Sequence, residues 1–298
     1  MQQYKNVLIL IVISIIGGGT GVFFKISLKE IPPDLLTFLR FIFAFIFLIP
    51  FFLRKEDKII KDYKKLILIS LVAALNVIFF IIGFQHTTII SSSILYAAVP
   101  LIVGVLSSRI IKEKISFKKW LGIIVGFIGL LVIIIVPVLG STSILSGSLL
   151  GNAIVLLAVF SFSLYSVLSK KYENEYSPII LTKYFILTTI ATQIILMSFH
   201  LRESFYLLGH ITTITWLSLM YSGILGTSFY YLLYQYVIKK TTPVLTSMTF
   251  YLQPIAAVIW AKLFFNEKLT PALLIGGALI FLGITIVFED KYSRLNKV

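Results

Sequence analysis

The chain has 298 residues, 58% of them hydrophobic and 13% charged, with a mean hydropathy of +1.01. A soluble domain carries about 25% charged residues, so most of this chain faces lipid and no stretch is left over for a soluble domain. The formal charge of +14 would suggest nucleic acid if the basic residues shared one surface, but they fall in short loops; without cysteine there is no disulfide, thiolate metal site or thiol nucleophile.

The first apolar run, Val7 to Ile16 behind Lys5, superficially resembles a signal peptide. It continues through Gly17 to Phe24 without an A-x-A pattern and reads as an uncleaved first helix. A span needs about 20 apolar residues, and the sequence offers ten such segments, near 7–26, 34–53, 65–84, 91–110, 117–136, 147–169, 178–199, 213–237, 243–264 and 270–288. Cytoplasmic loops retain Lys and Arg. Of the 26 basic residues, 19 lie at the N-terminus, after even-numbered spans and in the C-terminal tail. Only Lys25, Lys29, Arg202, Lys262 and Lys268 lie on the other side. Both termini are therefore expected to be cytoplasmic, and basic loops such as Arg54 to Lys65 need no further reading than orientation.

The two halves of the chain match in order. Lys25 and Pro33 match Lys170 and Pro178 at an offset of 145, and Gln85 pairs with Gln235 at 150. Pro100, Glu113, Lys114, Gly122 and Gly129 match Pro254, Glu267, Lys268, Gly276 and Gly283 at 154. The expected organisation is an all-α membrane protein of ten transmembrane helices in a 5+5 inverted repeat, with residues 1–140 and 141–298 as the two repeats of one membrane domain. Five spans per repeat, an odd number, set the halves antiparallel, as alternating access requires.

The run from Gly21 through Lys25, Pro32, Pro33 and Leu39-Arg40-Phe41 resembles the first half of EamA-type transporters of the drug/metabolite superfamily. Tyr251-Leu-Gln-Pro254, then Asn266-Glu-Lys-Leu269 and a glycine-bearing last helix, is similar to that family's second repeat. Gln253 departs from the glutamate the family often carries before this proline. The resemblance implies ten helices in a 5+5 inverted repeat and export or exchange of small metabolites. The expected function is secondary transport of small metabolites, with amino acids or related amphipathic solutes as the leading class. The rivals are an intramembrane enzyme and a non-transporting scaffold.

Candidate site residues follow from the cost of polar groups in lipid. Polar and small residues share helix faces at Ser14, Gly18, Gly21 and Lys25; at Asn76 and Phe80 towards Gln85; at Ser93, Tyr96 and Gly104; at Gly223, Thr227, Tyr230 and Tyr234; and at Thr249, Gln253 and Trp260. Each serves either a solute or helix packing. Tyr165, Tyr230 and Tyr251 lie deep enough for their rings to hold an apolar solute while their hydroxyls fix its polar end. Arg40 and Lys183 are the charges inside spans; either binds an anionic group, or each snorkels to the nearer interface, roughly 7 to 9 Å away at 1.5 Å per residue. Pro100 and Pro254 interrupt spans and are expected as matched hinges, or as prolines that a membrane helix tolerates.

No acidic residue lies in the middle third of a span, and His86 sits at a helix end. That favours a facilitator or exchanger driven by the solute gradient. The glycines Gly17 to Gly21 lack the Lys-Ser/Thr of a phosphate loop, and there is no H-E-x-x-H or intramembrane aspartate pair, so no enzymatic activity, cofactor or metal is expected. The expected partners are a small-molecule substrate and the lipid bilayer, with a homodimer left open and no nucleic acid. The expected location is the cell membrane of a prokaryote, crossed many times.

Overall fold

The computed structural model describes residues 2–53, 62–87, 89–136, 148–198, 206–265 and 271–295. The basic loop from Arg54 to Lys61, Arg202 and the Asn266-Glu-Lys-Leu269 motif lie outside them. The elements are α1 (Gln2–Ser27), α2 (Pro33–Phe52), α3 (Tyr63–Phe84), α4 (Ile89–Tyr96), α5 (Val99–Ile110), α6 (Phe117–Ile135), α7 (Leu149–Lys171) and α8 (Pro178–Met197). Then come α9 (Thr213–Met220), a π-helical segment (Tyr221–Phe229), α10 (Tyr230–Lys240), α11 (Pro243–Ser247), α12 (Thr249–Phe265) and α13 (Pro271–Leu295).

Lipid offers no partner to the free N–H groups of a helix's first turn, and the sequence supplies its own. The side chains of Asp62, Ser116, Ser148, Ser177, Thr212 and Thr242 each accept a backbone N–H three residues on. Pro33, Pro178 and Pro243 open α2, α8 and α11, where a missing N–H costs nothing.

Around a buried apolar core, large apolar side chains also stand on the outside while polar ones are buried within. Leu68 is 62% exposed and Leu274 71%, whereas Thr227 and Gln193 are wholly buried. Buried hydroxyls bond back along their own helices, as Ser14 Oγ does to the Leu10 carbonyl (2.7 Å) and Thr189 Oγ1 to that of Phe185 (2.8 Å). Among the described residues, eight helices are long and apolar enough to cross a membrane. The region expected as an eighth span is divided among α9, the π segment and α10, and in the last helix the apolar stretch is Leu274–Phe288.

Glycines set the helix contacts. The missing Cβ of Gly122 would lie 2.7 Å from the Gly283 carbonyl oxygen, and that of Gly129 2.6 Å from the Gly276 oxygen, so α6 and α13 run antiparallel with their backbones in contact. Gly18 lets α1 approach the Gln253 carbonyl and Ala256 of α12, and Gly223 lets the π segment approach the Arg40 carbonyl of α2. Elsewhere α3 packs on α7 and α8, and α2 on α8.

Candidate functional site

In the middle of the bundle, side chains from α2, α3, α4, α10 and α12 meet. Asn76, buried on α3, donates through Nδ2 to the Tyr96 hydroxyl (2.8 Å) and to the Ala158 carbonyl of α7 (2.9 Å). Tyr96 ends α4, where the chain breaks before α5. Its ring meets Phe80 edge-on at 5.5 Å and lies nearly parallel to Phe250 at 6.0 Å. Phe250 in turn meets Phe162 of α7 at 5.0 Å.

From the other side, the Tyr230 hydroxyl accepts from Gln253 Nε2 (2.8 Å), and its ring stacks on Tyr234 at 5.9 Å. The Tyr234 hydroxyl reaches Ser166 Oγ at 3.2 Å. The Ser166 proton is already given to the Phe162 carbonyl, so Tyr234 is the donor between them. Tyr231 packs against Tyr230 at 5.3 Å and Phe185 at 4.6 Å.

Arg40 joins the two groups. Its guanidinium carbon lies 5.0 Å from the Phe24 ring centre and 4.9 Å from that of Phe41, within hydrogen-bonding reach of Tyr231 and near Tyr96. Its Nε is buried without a partner, and no described carboxylate is paired with it. Its backbone carbonyl faces Gly223 of the π segment, and its head lies among Phe24, Phe41 and Tyr231.

Arg40, Asn76, Tyr96, Tyr230, Tyr234 and Gln253 thus come together. Tyr165 lies nearby in a smaller polar knot: its buried hydroxyl sits beside Ser169 and Gln235, which bond each other at 3.1 Å, but makes no bond of ordinary geometry. Thr227 is spent within the π segment, donating to the Ser222 carbonyl at 2.9 Å. Tyr251 is not part of this centre; its ring packs on Gly126 of α6. Gln85 and Lys25 are exposed at the ends of α3 and α1. Lys183 reaches the Phe52 carbonyl at 3.5 Å, at the end of α2, which is the snorkelling geometry.

The two matched prolines hold different positions. Pro100 stands in the first turn of α5, just after the break at Ala97 and Ala98, whereas Pro254 lies inside α12, beyond a break at Met248.

Tyr231 and Phe250 escape a face-by-face reading. The π segment inserts one extra residue per turn, which shifts the phase of every side chain after Tyr221, so a 3.6-residue face through Gly223, Thr227, Tyr230 and Tyr234 omits Tyr231. Gly223 and Gly226, both buried within nine residues, are the available signal that this stretch is irregular and tightly packed.

The comparisons with known proteins agree with this architecture. The model of the EamA-like transporter family matches twice, over residues 5–135 and 149–289. The uncharacterized transporter YoaV of Bacillus subtilis (strain 168) is 29% identical over 284 residues, covering 94% of this chain and 95% of its own. An uncharacterized transporter of Archaeoglobus fulgidus is 27% identical, with 97% and 99% covered. A solved crystal structure superposes with a TM-score of 0.78 at 16% identity, covering 95% of this chain and 96% of that one, a likeness of fold. With the family pattern matched in both parts of a multi-pass helical chain, the protein belongs to the EamA-like transporter family.

Proposed function

We propose that the protein is a secondary transporter, an exporter or exchanger, of small amphipathic metabolites in the cell membrane. It works by alternating access between two inverted five-helix repeats, 1–140 and 141–298, with ten spans and both termini cytoplasmic. The observation that carries this reading is the central polar group drawn from both repeats: Asn76 with Tyr96 from the first, Gln253 with Tyr230 from the second, and Arg40 of the first beside Tyr231 of the second. A solute held there would touch both repeats, so their relative movement would change which side it faces.

The reciprocal glycines add support. Gly122 matches Gly276 and Gly129 matches Gly283 in sequence, while in space Gly122 meets Gly283 and Gly129 meets Gly276. That exchange of partners is what a two-fold axis between α6 and α13 produces. The absence of acidic residues from the middle of the spans favours drive by the solute's own gradient. Pro100, just after a break in its span, and Pro254, inside α12 six residues beyond one, are the proposed hinges.

The test is counterflow of radiolabelled metabolites in proteoliposomes. Exchange that survives a protonophore is expected. No exchange of any solute would favour the enzyme or scaffold reading, and uptake abolished by the protonophore would overturn the proposed energetics.

A further inference from the structure

The centre is rich in donors and poor in acceptors. The Asn76 amide is oriented by the Ala158 carbonyl, which can only accept, so Nδ2 is the group facing Tyr96. Tyr96 therefore accepts, and no described residue takes the phenol's own proton. Tyr230 also accepts from Gln253, but its own proton has Thr249 within reach, whose hydroxyl already donates to the Thr246 carbonyl. To these protons is added the Arg40 guanidinium, whose Nε is unmet and whose two ring contacts offset only part of its desolvation. An ammonium placed here would find a cation and hydroxyl protons. A carboxylate would find the complement of each. Arg40, Tyr96, Gln253, Phe80 and Phe250 all keep some accessible surface while standing within the bundle.

Resting on the transporter reading above, we propose that Arg40, Tyr231 and Tyr96 form a site for the carboxylate of a small organic monoanion whose apolar body lies against Phe80 and Phe250. The transported class is then organic anions, in preference to zwitterionic amino acids. The guanidinium binds the head as a charge-assisted donor, Tyr96 gives the proton that Asn76 leaves free, and the rings supply an apolar wall. The cation stays uncompensated in the empty protein, so the solute itself neutralises it.

The test is binding to the purified full-length protein in lipid nanodiscs, by calorimetry, with three probes that share one body: 3-phenylpropionate, 3-phenylpropionamide and phenylalanine. A hexanoate and hexanamide pair guards against a mismatch of body size. The carboxylates are expected to bind about tenfold or more tighter than the amides and phenylalanine, as a charge-assisted hydrogen bond implies. Arg40→Gln is expected to remove that preference by weakening carboxylate binding far more than amide binding, Arg40→Lys to restore part of it, and Tyr96→Phe to weaken carboxylate binding severalfold. If Arg40→Gln does not fold, the Lys and Phe variants carry the test. Equal binding of acid and amide, preference for phenylalanine, or no binding of either carboxylate would overturn the anion site. Counterflow separates the two readings: exchange of neutral or zwitterionic solutes alone overturns the anion site but leaves transport standing, whereas carboxylate binding without exchange of any solute overturns transport.

Discussion

The two proposed repeats fasten matched loops, at opposite ends of the bundle, with different chemistry. Glu30 and Glu175 stand at the offset of 145 that relates Lys25 to Lys170 and Pro33 to Pro178. Glu30 accepts from the Thr212 amide (2.8 Å) and hydroxyl (2.7 Å), at the N-cap of α9. Glu175 accepts from Lys65 (3.0 Å) in the first turn of α3, whose N-cap is Asp62. These lie at opposite ends of the bundle, because α2 starts just after Glu30 and ends at Phe52, which meets Lys183 in the second turn of α8, the helix that follows Glu175. One carboxylate thus ties its loop to the start of the facing helix by neutral donors, and the other by an ion pair. Where α6 meets α13, one of the contacts between the repeats, identity is kept instead: backbone contact admits only glycine, while a carboxylate can be satisfied in several ways.

The largest effect is expected where identity is kept. Gly129→Leu and Gly276→Leu each drive a side chain into the opposing carbonyl, and each should cost at least about 1–3 kcal/mol. The thermal midpoint of the detergent-solubilised protein should fall by similar amounts for both. A variant with an unchanged midpoint would break the reciprocal contact. A smaller effect is expected at the ends. Tyr176, buried beside Glu175, donates to the Asp62 carbonyl at 2.7 Å, whereas the matching position at the other end is the apolar Ile31. Tyr176→Phe should cost about 1 kcal/mol and raise amide exchange in the first turn of α3 without touching α9.

How much of this was legible beforehand depends on what kind of interaction fixes each residue. Helix starts were readable because Pro33, Pro178 and the Ser or Asp caps act locally. Arg40 and Asn76 were readable because polar groups in a span demand an explanation wherever the chain runs. Tyr231 was not, since the π segment ahead of it resets the helical phase through packing of Gly223 on α2 and Gly226 on Thr20, contacts between residues far apart in sequence. The same limit applies to Tyr251, whose depth in a span does not tell which neighbour it faces, and to Pro100, which looks central in a 91–110 segment until the break at Ala97 puts it in a first turn.

Salt should sharpen the contrast between the ends. Lys65 and Glu175 are 33% and 45% exposed, so their pair contributes little and is screened in about 1 M salt. Amide exchange in the first turn of α3 should rise with salt, and Glu175→Gln should reduce that dependence to what the longer Lys65–Asp62 pair (3.9 Å) contributes. The bonds of Glu30 have neutral donors, so the Thr212 amide should be indifferent to salt. A salt-sensitive Thr212 would erase the difference between the ends.

The smallest effect is a matter of pH. The Thr212 amide, and after it the Thr212 hydroxyl, hold the Glu30 carboxyl below its ordinary value of 4.5, because both donate to the charged form. A carboxyl lowered on folding stabilises the protein above its unfolded value, and that contribution is lost as pH falls through the lower, folded one. Protection of the Thr212 amide, measured against intrinsic exchange, should therefore be flat down to pH 4.5 and fall only below it. Glu30→Gln should show weaker protection with no such acid step. A step above that pH would mean that the Thr212 donors do not favour the carboxylate, and Glu30 would then be no counterpart of Glu175.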